Sequence, residues 1–229
     1  MNTTDGTAIA NGFYISSYPA GHVNRSTAVD IPRNQWNQYT NTQLSQSAEV
    51  NVAGFVTLDY ATRTAEITVE VYYTANSAQS TNYLTVMMLQ DSILASQSGS
   101  SYNPSQMMNG QYVHQHVLRD VVTSTWGEAI SPTTAGTLIT KNYTYQIPES
   151  IGAPNGVNVD LDNILFLALV TEKQDGTPTR PILNVCEIEG LGPIIHNVEL
   201  CQGESYNENG FNINNPAPGT YVESYINEE

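Results

Sequence analysis

The segment Tyr83 to Gln90, YLTVMMLQ, constrains the fold more than any other part of the chain. Leu84, Val86 and Met88 alternate with Thr85, Met87 and Leu89, so an extended chain here presents a largely apolar surface on both sides. Such a strand needs cover on both faces. The same reading extends the strand to Leu94, follows it with a polar loop from Ser96 to Gln111, and then meets the dense block YVHQHVLRDVVTSTWGEAI. EVNVAGFVTLD and EITVEVYYT alternate as two strands joined around Tyr60 to Thr64, and GTLITKNYTYQIP is another. Two apolar runs flank Asp175-Gly176, a hairpin signal, with Pro178 and Pro181 on the returning side. Seven or eight short strands at this spacing predict a mainly β chain built as an antiparallel β-sandwich, with immunoglobulin-like and jelly-roll topologies both open.

Charge narrows the partners. The 229 residues carry 22 acidic and 7 basic side chains, a net charge of −15, so a phosphate backbone is repelled and nucleic acid is not an expected partner. Only 13% of residues are charged, and the 14 tyrosines with abundant Asn, Gln, Ser and Thr suit a strand-rich exterior. No apolar run reaches the roughly 18 to 20 residues of a membrane-spanning helix, so no transmembrane segment is expected. The first thirty residues lack a basic start followed by an apolar stretch, so no signal sequence is expected in this chain.

Several groups could carry chemistry. His114 and His116 are two apart, so on one strand they share a face, where they could ligate a metal with Asp120 or Glu128 or serve as hydrogen-bonded structural residues. Arg119 and Glu128 are expected to form an ion pair within the sandwich. Asp160, Asp162 and Asn163 could offer oxygen ligands to calcium, but without a calcium-loop spacing they are read as capping a turn ahead of a strand at Ile164. Glu187 and Glu189 read as solvated edge charges. Cys186 and Cys201 either form one disulfide or leave Cys186 as a small buried residue on its strand. There is no G-x-S-x-G elbow, phosphate-cradling glycine loop or H-E-x-x-H helix, so neither an enzyme, a metal site nor a cofactor is expected.

The ends read differently from the middle. Phe13 to Ile15 is a short strand-like run, broken at Pro19 and Gly21, and Trp36, Tyr39, Thr40 and Leu44 predict a helix from about Pro32 to Ser47, capped by Asp30. Y-P-A-G-H-V-N-R resembles the cis-proline segment of a thioredoxin-like domain, with Pro19 at the proline position. No Cys-x-x-Cys accompanies it, so dithiol exchange by the usual arrangement is excluded within this chain. Residues 1–48 are therefore read as the remnant of a thioredoxin-like domain, a short α/β piece, and 49–192 as the sandwich. Residues 193–229 are a linker with either a disordered tail or a truncated repeat, because Cys201, Gly203, Glu204, Ser205, Tyr206, Asn209, Gly210, Gly219, Thr220 and Tyr221 resemble the opening of extracellular repeats of large secreted Bacteroidetes proteins.

Gln90-Asp91-Ser92-Ile93, Gln97, His114-Gln115-His116-Val117-Leu118-Arg119 and Gly127-Glu128 fall in an order that resembles the outer-membrane-protein-28-related family of Bacteroidetes surface proteins. That resemblance implies a β-sandwich at the cell surface or outer membrane with adhesive or binding duties, often behind a thioredoxin-like domain. The expected function is a non-catalytic module that displays Tyr102, Met107, Met108 and Tyr112 from a rigid scaffold toward a host protein, a glycan or neighbouring modules. Exposed tyrosines on one sheet face would favour a glycan, and an apolar loop patch would favour a protein. The alternatives are an accessory part of a thiol-disulfide protein whose redox cysteines lie upstream, and a structural spacer.

Overall fold

The computed structural model describes residues 2–15, 18–27, 30–152, 156–172, 179–190, 204–206 and 214. The chain divides into two compact units, Met1–Leu191 and Gly192–Glu229. Of the second, only 204–206 and 214 are described. Cys201, the Asp175-Gly176 turn and nearly all of the repeat-like C-terminal segment lie outside the described residues.

The first unit opens with a short α/β segment. Helix α1 (Thr4–Gly12) is followed by the two-residue strands β1 (Ala20–Gly21) and β2 (Ile31–Pro32), which pair antiparallel, and a 3-10 turn (Arg33–Gln35) leads into α2 (Trp36–Leu44). The helix expected from Pro32 is present, but Asp30 does not cap it: its 3-10 entry follows Pro32 with no side-chain cap, and Trp36 Nε1 donates to the Ile31 carbonyl. Its expected apolar face is not buried, and Leu44 is 78% exposed. The strand expected at Phe13 to Ile15 is instead the exit of α1, whose start is fixed by Thr3 Oγ1 accepting from the Gly6 amide. The Tyr18–Pro19 and Ser131–Pro132 peptides are cis.

The sandwich follows. Its long strands are β3 (Val50–Asp59), β4 (Thr64–Tyr73) and β5 (Asn82–Gln90); a small group comprises β6 (Ile93–Ala95), β7 (Met107–Met108) and β8 (Gln111–His114). Then come β9 (Val117–Val121), β10 (Glu128–Ile130), β11 (Leu138–Gln146), the short pair β12 (Ser150–Ile151) and β13 (Val157–Asn158), β14 (Ile164–Thr171) and β15 (Ile182–Gly190). The main strands are ordered β10-β5-β14-β15-β3-β4-β11, with β9 sharing with β10 the edge of β5. β15 is the corner: Ile182 to Ile188 pair antiparallel with β14, whereas Glu189 and Gly190 pair parallel with Phe55 and Val56 of β3. The two halves of the path thus fold onto one core. Val56, Leu58, Ile67, Val69 and Val71 meet Leu84, Val86, Met88, Phe166 and Ala168 there, which is the interdigitation of two inner faces that a sandwich requires.

β5 has the double cover its sequence demands. Its outward residue Met87 packs with Val121 and Leu169, and Ile9 of α1 lies against that second cluster. The strand does not run on to Leu94 as expected: it stops at Gln90, and Ser92 takes a left-handed φ of 60° before β6 begins. The β3–β4 hairpin forms where expected, with Asp59 Oδ1 accepting from the amides of Ala61 and Thr62. The Thr62 side chain, then these amides, hold the Asp59 carboxyl below its usual pKa. Asp160 caps the turn before Ile164, accepting from the Asp162 amide and the Asn163 side chain.

Candidate functional site

The histidine block belongs to an elbow. β5 and β9 form one antiparallel ribbon, and β6 and β8 continue it past a kink that affects both strands at the same level. On one side Asp91 and Ser92 turn, on the other Gln115 and His116, and both Ser92 and His116 adopt positive φ. Side chains lock the kink reciprocally. Asp91 Oδ1 accepts from the His116 amide at 2.5 Å, and Gln115 Oε1 accepts from the Ser92 amide at 2.8 Å, while the Asp91 amide donates to the Asn163 carbonyl. His116 Nδ1 lies 3.6 Å from the same Asp91 oxygen. Each bond satisfies a backbone donor that loses its ladder partner at the bend.

His114 and His116 therefore do not share a strand face. His114 ends β8, half-buried with its ring edge-on to Tyr112 at 5.1 Å, whereas His116 is an exposed elbow residue. Among the described residues no group of three or more His, Cys, Asp or Glu side chains could hold a metal.

Beyond the elbow the ribbon becomes a three-stranded sheet in the order β6-β8-β7. The β7–β8 hairpin closes through Asn109 and Gly110, with φ of 51° and 77°, the two left-handed residues of a tight turn. Asn-Gly between MM and QYVH is the sequence signal for that hairpin, and the reading of this stretch as plain loop missed it. The four display residues gather here. Met107 is paired opposite Tyr112, whose hydroxyl accepts from Asn103 Nδ2, and both are half-buried. Tyr102 is 93% exposed, Met108 54% and Leu94, on the neighbouring strand, 38%.

Below the elbow the chemistry is structural. Arg119 is fully buried on β9, and the expected pair with Glu128 does not form. Its guanidinium donates instead to Gln90 Oε1 at 2.9 Å and to the carbonyls of Ile151 and Val157 at 3.1 and 2.6 Å, joining β5 and β9 to the β12–β13 pair. Burial lowers its pKa. Glu128 is exposed on β10 and accepts from the Tyr143 hydroxyl at 3.3 Å, and Asp120 on β9 accepts from Tyr145. These two bonds link β11 to the edge of the opposite sheet, and burial, then the neighbouring carboxylates, pushes both phenols well above their ordinary pKa. Gly127 is required beside Glu128: its φ is 86°, and a Cβ there would sit 2.8 Å from Thr85 Oγ1 and 3.0 Å from the Leu84 carbonyl. Cys186 sits half-buried on β15 opposite Ala168. Pro19 is exposed just before β1.

The sequence blocks that suggested a family are therefore one structure: Gln90 holds Arg119, Asp91 holds His116, Gln115 holds Ser92 and Gly127 crosses close over β5. HBP35 of Porphyromonas gingivalis matches 96% of this chain and 68% of its own length, with a TM-score of 0.61 at 14% identity, a likeness of fold alone. A domain of the outer membrane lipoprotein Omp28 from Porphyromonas gingivalis matches 64% of this chain and 92% of its own length at 17% identity, with a TM-score of 0.39, too low to argue from. No curated protein matches the sequence. The model of the family described as Outer membrane protein Omp28 matches residues 7–188. By that match, which takes in the sandwich, the elbow and the ribbon it carries, the chain belongs to the Omp28 family of outer membrane proteins.

Proposed function

We propose that the chain is a non-catalytic surface module that captures a protein partner on the tip of the β6–β8–β7 ribbon. The observation that carries this reading is the exposure of three large apolar side chains, Leu94, Tyr102 and Met108, on the ribbon and the turn that joins its strands. Tyrosine and methionine are well suited to interface cores, since one brings a rigid amphipathic ring and the other an adaptable apolar chain. A glycan platform finds less support. On the outward face of β3, β4 and β11, Tyr72 is the exposed tyrosine, while Tyr143 and Tyr145 turn inward to carboxylates. The partner is a host protein or a neighbouring surface module, and an outer-membrane or cell-surface location accords with the family.

The test is binding of the purified chain to host cells before and after protease stripping of the cell surface. The parent chain is expected to bind intact cells and to lose binding after stripping. A Tyr102→Ala/Met108→Ala variant is expected to bind at least tenfold more weakly with an unchanged circular dichroism spectrum. Equal binding by parent and variant, or binding that survives stripping, overturns the reading.

A further inference from the structure

A second cluster lies away from the ribbon, where the N-terminal segment packs on the sandwich. Phe13, just after α1, is buried at 2% exposure, and four side chains surround its ring. The Arg25 and Arg180 guanidinium carbons stand 5.5 and 5.3 Å from its centroid, and the His22 and Trp126 rings 4.8 and 5.9 Å. Arg180 also lies over Trp126 at 4.2 Å and donates to the Gly12 carbonyl.

Two cations have been brought together in a chain that has only 7 basic residues against 22 acidic ones. Like charges held close in a partly desolvated place repel. Among the described residues no carboxylate pairs with Arg25, whose guanidinium lies against the face of Phe13. Burial and then the charge of Arg180 lower its pKa to about 10. The segment bearing Arg25 is not loose. Asn24 and Arg25 both hold left-handed φ, 56° and 52°, and their carbonyls accept from the amides of Ile182 and Arg180.

His22 adds an independent sign. Its Nδ1 is 3.2 Å from Thr27 Oγ1, yet its Nε2 is buried with no hydrogen-bond partner. If the threonine hydroxyl donates to Nδ1, the proton sits on Nε2 and needs an acceptor. A buried donor left without one costs stability, so such an atom in a native fold calls for an explanation.

We propose that Arg25, His22 and Arg180 form a binding site for the anionic group of a ligand, a carboxylate or a phosphate, with Phe13 and Trp126 as its apolar wall. The anion supplies an acceptor to His22 Nε2 and a counter-charge to Arg25. This site is separate from the ribbon tip and does not depend on the reading of that tip.

The experiment is calorimetric titration of the full chain with inorganic phosphate and with acetate, at constant ionic strength held by chloride, alongside Arg25→Gln and Arg25→Lys. Saturable one-site binding of at least one anion is expected, weakened about tenfold or more in Arg25→Gln and less in Arg25→Lys. Preference for phosphate assigns a phosphoryl ligand, and preference for acetate assigns a carboxylate. In parallel, the His22 Nε2 resonance of the unmodified chain is followed through the same titration, so the result does not depend on a variant that folds. Absence of binding above chloride, binding undiminished in a folded Arg25→Gln, or saturation without movement of Nε2 overturns the proposal.

Discussion

The sandwich body and the ribbon beyond the elbow are stretches of the same antiparallel hairpin, yet they obey different rules. Within the body, β5 has the core on one face and Met87, Val121, Leu169 and Ile9 of α1 on the other. Past Asp91 that cover ends. The strands shorten to between two and four residues, Ile93 is still buried, and Leu94 and Met108 face solvent. Strand propensity does not change much across the kink, since Ile, Leu, Tyr and Val continue on both sides. What changes is the number of layers available to bury them. The lesson is that a strand leaves large apolar side chains exposed where its second cover stops, and that side chains replace the lost backbone bonds at the boundary.

The sharpest way to break this contrast is to remove the group that unites the body at the elbow's base. Arg119→Met strands Gln90 Oε1 and the Ile151 and Val157 carbonyls, and a loss of about 3 kcal/mol or more is expected. Urea denaturation measures it, and an unchanged midpoint would contradict the structural role given to the guanidinium.

Alkali probes the body next. Burial, then Glu49, pushes Tyr73 up to about 12, and Tyr143 and Tyr145 are also raised. A raised folded-state pKa gives stability that is fully present below the unfolded value near 10 and is lost as pH climbs through the folded value. Tyr73 alone is worth on the order of 2 kcal/mol across that window. Urea midpoints at pH 8, 10 and 11.5 should fall steadily above 10, and a flat profile would mean that the phenols are not held neutral by the fold.

Asp91→Ala is a smaller and more local change. It takes the acceptor from the His116 amide, at a cost of about 1 to 2 kcal/mol. Hydrogen exchange should speed in 93–95 and 111–114 while amides of β3 and β4 keep their protection. Equal acceleration in both would dissolve the distinction between body and ribbon. Smallest of all is Tyr102→Ala, expected to shift stability by no more than about 0.5 kcal/mol, because a side chain 93% exposed contributes little packing. A large loss in the same urea assay would show that the ring packs on its own scaffold.

Much of this was legible beforehand. The alternation of EVNVAGFVTLD and EITVEVYYT specifies the β3–β4 hairpin, because a period of two has only one face that can be buried. Double-sided burial of β5 was equally plain. α1 was not, since its signals are weak: a threonine cap, an acid in the first turn and only Ile9 reaching the apolar cluster. Arg119 and Glu128 looked like partners because they are the unlike charges of one short block. β9 and β10 instead place Arg119 in the interior among carbonyls and Glu128 at the surface by Tyr143. Two histidines two apart share a face only on an unbroken strand, and the left-handed His116 breaks it.

Periodicity and turn residues act between neighbours in the chain, so the sequence by itself determined the long strands of the sandwich and the β3–β4 hairpin. The corner at β15, the acceptors of Arg119, the aromatic nest around Phe13 and the elbow's reciprocal bonds join residues dozens of positions apart. Only the tertiary structure decided them, because burial and hydrogen-bond satisfaction depend on which layers meet, and no local pattern encodes the neighbour on the far side.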